Sequence, residues 1–262
     1  MSTKLSERKK RLRDEFIDSR GHWSPMWESL LELDEGFFEA YTRLSSVPRK
    51  TGPLAPKTKE LIQIAVDSAA THLYVPGIRE HVARALEYGA TAEEIMEVLE
   101  LTSTLGIHAA VVGVPILVEE LEAAGVPVSR ELSARQEEIK ADFVAKRGYW
   151  NPFWDEMLQL DAEFFAAYTA FSSVPWTSGT LEPKLKELIY TAFDVAATHL
   201  FSSGLRQHIR NALGYGATRE EVLEVIELAS ELGMHACAVG VPILVEEAAA
   251  SAQTAAQEVP VP

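Results

Sequence analysis

With 262 residues, 47% hydrophobic and 24% charged, the chain has the composition of an ordinary folded protein with material for sizeable cores. Its formal charge of −15 and the lack of any basic stripe exclude nucleic acid as an expected partner, while one local Arg or His still suffices for a small anionic substrate. The single cysteine, Cys237, excludes an intrachain disulfide framework and a Cys-x-x-Cys redox pair.

In chain order, the start MSTKLSERKKRLRDEF lacks an apolar signal core and no apolar run approaches a membrane span, so a cytoplasmic protein with no membrane partner is expected. A polar helix is predicted over residues 6–19. Ser24-Pro25 then has the chemistry of a cap followed by proline in the first turn, opening a helix that turns Leu30, Leu33, Phe37, Phe38, Tyr41 and Leu44 inward and ends at residues 45–48. Pro56 starts a third helix running through Glu60 to about Leu73, and a fourth runs from near Gly77 to Gly89. Thr91 and Glu94 form a capping box opening the fifth, and Gly106 bends the chain into a last apolar helix holding His108 and Pro115.

Everything then recurs. An offset of 127 carries Glu60 to Glu187, His72 to His199, His81 to His208, His108 to His235, and Arg20-Gly21 to Arg147-Gly148, with no gap. Roughly two positions in three are identical between residues 60–120 and 187–247, which marks a tandem duplication. The expected fold is all-α: two tandem units, 5–126 and 132–250, related by pseudo-two-fold symmetry, with a disordered tail over 251–262.

The polar residues fall on faces. Glu60, Gln63, Asp67 and Thr71 share one stripe of the third helix, and His81, Ala85 and Tyr88 share one of the fourth. A carboxylate stripe facing a His stripe suits acid–base chemistry, since a buried Glu can fix a histidine's tautomer or exchange protons with it. The plain alternatives are a first-turn carboxylate favoured by the helix dipole for Glu60 and a backbone contact for Asp67. The stretches THLYVPGIREH (71–81) and THLFSSGLRQH (198–208) keep Thr, His, Leu, Gly, Arg and His while their other residues change. Trp176 opposite Arg49 and Tyr190 opposite Gln63 imply that the two pockets are not equivalent.

The segment KELIQIAVDSAATHLYVPGIREHVARALEYGATAEEIMEVLEL resembles the core of the carboxymuconolactone decarboxylase family, which includes the alkylhydroperoxidase D proteins. The resemblance covers residues 56–120 and 183–247 and implies an all-α fold assembling into a homo-oligomer, here a trimer with pseudo-hexameric symmetry. Peroxidase members carry a Cys-x-x-Cys pair before the helix histidine. Counted back from His81 and His208, those places hold Tyr74 and Gly77, and Phe201 and Gly204; counted forward from the helix glutamate, the first holds His72 or His199. The counts differ because the chain has about two extra residues in the turn. Neither finds a thiol, so thiol peroxidase chemistry is not expected.

The thiol-free branch implies loss of carbon dioxide from a carboxylated unsaturated lactone, which needs a hydrogen-bonding group at the developing oxyanion and a proton donor at carbon. The expected catalytic set is Glu60, His72, Arg79 and His81 with Glu187, His199, Arg206 and His208: Arg holds the substrate carboxylate, His81 protonates and Glu60 orients it. No cofactor is required. The alternative is a divalent transition metal on Glu60, His72, His81 and His108, repeated as Glu187, His199, His208 and His235. A third reading is a non-catalytic oligomeric binder of small molecules.

Overall fold

A computed structural model describes residues 6–257, and all regular structure among them is helical. The first repeat forms α1 (Glu7–Arg20), α2 (Pro25–Leu33), α3 (Glu35–Thr51), α4 (Pro56–Ser68), α5 (Val75–Glu87), α6 (Ala92–Ser103) and α7 (His108–Ala123). The second forms α8 (Ala134–Arg147), α9 (Phe153–Leu160), α10 (Ala162–Ser172), α11 (Val174–Thr177), α12 (Pro183–Val195), α13 (Ser202–Gly214), α14 (Arg219–Ser230) and α15 (His235–Gln257). Both expected capping boxes form, Thr91 with Glu94 and Thr218 with Glu221.

Five expectations are corrected. The single helix expected from Pro25 to residues 45–48 is divided at Asp34 into α2 and α3, and Leu33, Phe37 and Leu44 lie exposed rather than inward. Pro48 does not end α3, which continues to Thr51. Residues 69–74 leave the helix at Ser68, so Thr71 and His72 lie in the connecting turn. The tail does not lose its helix at Ser251, because α15 continues to Gln257; residues 258–262 lie outside the described part. By length and composition Ala92–Ala123 and Arg219–Thr254 would each reach across a membrane. Each is instead two α-helices joined by a 3-10 turn, Thr104–Ile107 or Glu231–Met234, with Glu97 or Glu224 buried in its first half.

The two repeats interlock. Every residue of α4 from Lys59 to Asp67 is buried, as is every residue of α12 from Lys186 to Asp194, so both helices are covered on all sides. Leu61, Ile64 and Ala65 pack with Val98, Leu101, Ile189 and Phe193, while Ile62 and Val66 pack with Leu188, Ala192, Val225 and Leu228. The amino-terminal helices cross over reciprocally. Leu12, Phe16, Trp27 and Phe38 bury Met234 and Val241 of the second repeat, and Phe143, Trp154 and Phe165 bury Ile107 of the first.

Two buried ion pairs clasp the halves. Lys59 Nζ lies 2.8 Å from Glu224 Oε1 and donates to the Pro48 carbonyl at 2.7 Å, while Glu224 Oε2 accepts from the Leu54 N–H. Lys186 and Glu97 repeat the arrangement at 3.0 Å, with Glu97 accepting from Thr180 and Leu181 N–H. Each carboxylate is hydrogen-bonded as well as paired, the condition under which a buried charge is tolerated.

Candidate active site

Helical spacing puts Glu60, Gln63 and Asp67 on one buried face of α4. Across from it, α5 presents His81 and, three residues on, Arg84. His81 Nδ1 donates to Glu60 Oε2 at 2.6 Å, and Arg84 Nε donates to Glu60 Oε1 at 3.2 Å. Arg49 Nη1 approaches the same oxygen at 3.6 Å. Burial alone would raise the Glu60 carboxyl, but the His81 hydrogen bond and the charges of His81, Arg49 and Arg84 outweigh it and hold it down to about 2. An ionised carboxylate only accepts, so the shared proton sits on Nδ1 and Nε2 is left to face inward.

That nitrogen faces Asp67, whose Oδ2 lies 3.8 Å away. Asp67 is fully buried and neither of its oxygens receives a hydrogen bond among the described residues. Burial pushes its carboxyl up to about 7, against the pull of His81 and with help from Glu80 and Glu231. Gly77 explains how the carboxylate fits. A Cβ there would overlap Asp67 Oδ2 and the Tyr74 ring, so the first turn of α5 must carry glycine for close approach rather than for a special backbone angle.

The turn between the helices bends sharply. The Ala69 carbonyl accepts from the N–H groups of His72 and Leu73, the Tyr74 N–H donates to the Asp67 carbonyl, and Leu73 takes φ 49°. A branched apolar side chain in the left-handed region is strained, at a cost of about 1–3 kcal/mol. Leu200 repeats it at φ 51°. The bend aims His72 at the other half of the chain, where its Nε2 meets His235 Nδ1 at 2.7 Å; the Tyr74 ring stacks on His235 with centroids 3.8 Å apart.

The second repeat thus completes the first repeat's site. Besides His235 it supplies Glu231, which accepts from Arg20 at 2.7 Å, Arg49 at 3.1 Å and Gln63 at 3.3 Å. Arg20 also donates to the Tyr41 hydroxyl at 2.6 Å, and its Nε has no partner among the described residues. These groups border a cavity of about 430 Å³ with Arg20, Tyr41, Glu231, His81, His235 and Trp27 in its walls. Burial pushes the His235 ring down to about 4, aided by His72, His81 and Arg20, so it is neutral at pH 7.

The mirrored site keeps the framework and loses the space. His208 Nδ1 donates to Glu187 at 2.6 Å, Asp194 is fully buried and unbonded among the described residues, and His108 meets His199 at 2.7 Å. However, Tyr190 replaces Gln63 and stacks on His208 at 4.4 Å, while Phe153 replaces Met26 and Tyr149 replaces His22. Only about 20 Å³ remains beside His208, roughly the room for one water.

Of the residues expected at the site, Glu60, His81, Glu187 and His208 meet as two carboxylate–imidazole pairs. His72 and His199 instead pair with His235 and His108 across the repeats, so the four ligands imagined within each unit divide between two sites. Arg79 and Arg206 lie exposed and, among the described residues, border neither cavity. The cations around the first site are Arg20, Arg49 and Arg84, their side chains largely covered, with Arg147 in the mirrored site. Arg84 carried a signal, standing three residues from His81 on one helical face. Glu231 carried none, since its counterpart is Thr104.

The pattern that defines the carboxymuconolactone decarboxylase family matches residues 35–118 and 162–242. The chain belongs to that family. It is similar to a crystal structure from Burkholderia xenovorans LB400, named as a candidate gamma-carboxymuconolactone decarboxylase subunit, at 48% identity over 93% of this chain and 98% of that one, with a TM-score of 0.90. No curated protein matches the chain. Cys237, the only thiol, packs half-buried beside the Phe16 and Trp27 cluster.

Proposed function

We propose that the protein is a thiol-free carboxy-lyase of the decarboxylase type, acting on a small unsaturated carboxylated or lactone substrate in the open cavity. The observation that carries this reading is the Glu60–His81 dyad, with His81 and Arg20 together in the wall of a 430 Å³ space. Arg20, whose side chain borders the cavity, binds the substrate's carboxylate or its developing oxyanion. Cleavage of the carbon–carboxylate bond sends its electron pair into the conjugated carbonyl as a dienolate. His81, as imidazolium, donates the Nε2 proton to carbon, and Glu60 holds the ring and its charge through Nδ1.

The closed cavity makes the mirrored dyad a support for the fold. Release of carbon dioxide from a carboxylated muconolactone, followed with the loss of conjugated absorbance, tests both statements. H81Q and E60Q are expected to lower kcat by about 10²-fold or more, and H208Q to stay within about three-fold of the parent. Equal losses in H81Q and H208Q would refute the division of labour, and unchanged turnover in H81Q would refute the lyase reading.

A further inference from the structure

Three donor groups recur in both sites and are absent from the lyase reading. Asp67 Oδ1, His72 Nε2 and His235 Nδ1 form a triangle with sides of 2.7, 3.8 and 3.9 Å. In the mirrored site Asp194 and His199 of the second repeat meet His108 of the first, with the two rings 2.7 Å apart and Asp194 Oδ1 3.8 Å from His108. A tetrahedral ion with bonds of about 2.1 Å needs donor separations of about 3.4 Å. To reach that spacing the two rings separate by about 0.7 Å and the carboxylate oxygen closes by about 0.4–0.5 Å.

We propose that each triad binds one divalent transition-metal ion of the zinc, iron(II), manganese or cobalt(II) class, through two imidazoles and one carboxylate. A hydrogen bond between the two rings accounts for their proximity, yet it leaves the carboxylate unexplained. Asp67 and Asp194 are completely buried, with both oxygens of each unbonded among the described residues, and each lies against a glycine that its close approach requires. A cation beside those oxygens satisfies them. The strained residues Leu73 and Leu200 follow the two turn histidines directly and turn them across the repeat boundary. Tyr74 and Phe201 stack on His235 and His108 at 3.8 Å, fixing the remaining ring.

The surroundings sharpen the inference. Between the sites Gln63 becomes Tyr190, Arg49 becomes Trp176, Glu80 becomes Gln207, Arg84 becomes Asn211 and Glu231 becomes Thr104, while the triad is unchanged. One cavity is open and the other nearly filled, so the triad does not follow the cavity. It ties the turn after α4 to the start of α15, and the turn after α12 to the start of α7. Of the two triads, only the first has a member, His235, in the wall of the open cavity.

The test is titration of the whole chain with cobalt(II) alone, after purification without a metal-affinity tag and stripping with chelator. Two equivalents per chain with visible d–d bands are expected. D67N or H72Q should remove one equivalent, D194N or H199Q the other, and the D67N/D194N double variant both. Asparagine is isosteric and removes a buried charge, so these variants should keep their helical circular dichroism. Cobalt or zinc at about 100 times its dissociation constant should raise the parent's thermal midpoint by about 5 °C or more and leave D67N/D194N unmoved. Binding below one equivalent, or binding and stabilisation that survive in D67N/D194N, would overturn the assignment and leave the paired rings as plain hydrogen bonds. The readout is independent of turnover, so it fails or succeeds separately from the lyase reading.

Discussion

Replacing Glu60 by Gln tests the electrostatics of the open site. The native carboxyl sits at about 2 against an ordinary 4.5, and at about 1.4 kcal/mol per unit its ionised form contributes about 3 kcal/mol at neutral pH. The group is 2% exposed, so solvent screening takes little of this away. The native value is depressed, so the contribution is full above pH 4.5 and is lost as pH falls toward 2. E60Q also leaves Arg49 and Arg84 short of a counter-charge, and uncoupling a buried pair costs about 3–5 kcal/mol. Urea unfolding followed by circular dichroism at pH 7, 5, 4 and 3 should show E60Q weaker than the parent by several kcal/mol at pH 7. The gap should narrow by about 2 kcal/mol by pH 3, because the parent alone loses the Glu60 term. Parallel stability curves for the two proteins would show that His81 and the arginines do not hold this carboxylate ionised.

Gly77→Ala drives a methyl group into the Asp67 carboxylate and the Tyr74 ring, and should cost about 1–3 kcal/mol by thermal unfolding; Gly89→Ala, at φ 82° with open space around it, should cost about 1 kcal/mol. Lys59→Met strands Glu224 in the interior and should cost about 3–5 kcal/mol, with the K59M/E224M pair recovering part of the loss in a double-mutant cycle. Val112, Ile116 and Leu117 of α7, and their counterparts Val239, Ile243 and Leu244 of α15, are each about half exposed. Copies of this chain are the expected cover, since the patch occurs at equivalent positions in both repeats; light scattering should report a trimer, and I116D/I243D a smaller species.

How much of this was legible in the sequence follows from what periodicity measures. A helical repeat reports which residues share a face, so Glu60 with Asp67 and His81 with Arg84 could be read, and the acid–base pair followed once two adjacent faces were opposed. The same rule weighs against Arg79. At about 100° per residue, two positions before an inward-facing His81 points outward, and Arg79 is indeed exposed. The cation in the cavity wall, Arg20, is 61 residues from His81 and reaches the site because α1 to α3 fold over α15.

Symmetry hid the rest. With identical spacing in both repeats, His108 and His235 serve either unit equally well on paper, because an offset of 127 is unchanged when the partners are exchanged. The choice is made by packing. α4 and α12 pack on each other and on α14 and α6 of the opposite repeats, which brings the start of each last helix to the turn that follows the other repeat's carboxylate helix. Each site is then built from both halves of the chain, and cutting the protein between the repeats would divide both sites. The duplication also explains how the sites came to differ. Tyr190, Phe153 and Tyr149 fill one cavity without disturbing the dyad beneath it or removing Arg147, the counterpart of Arg20, so one copy can drift toward a filled core while the other keeps its space.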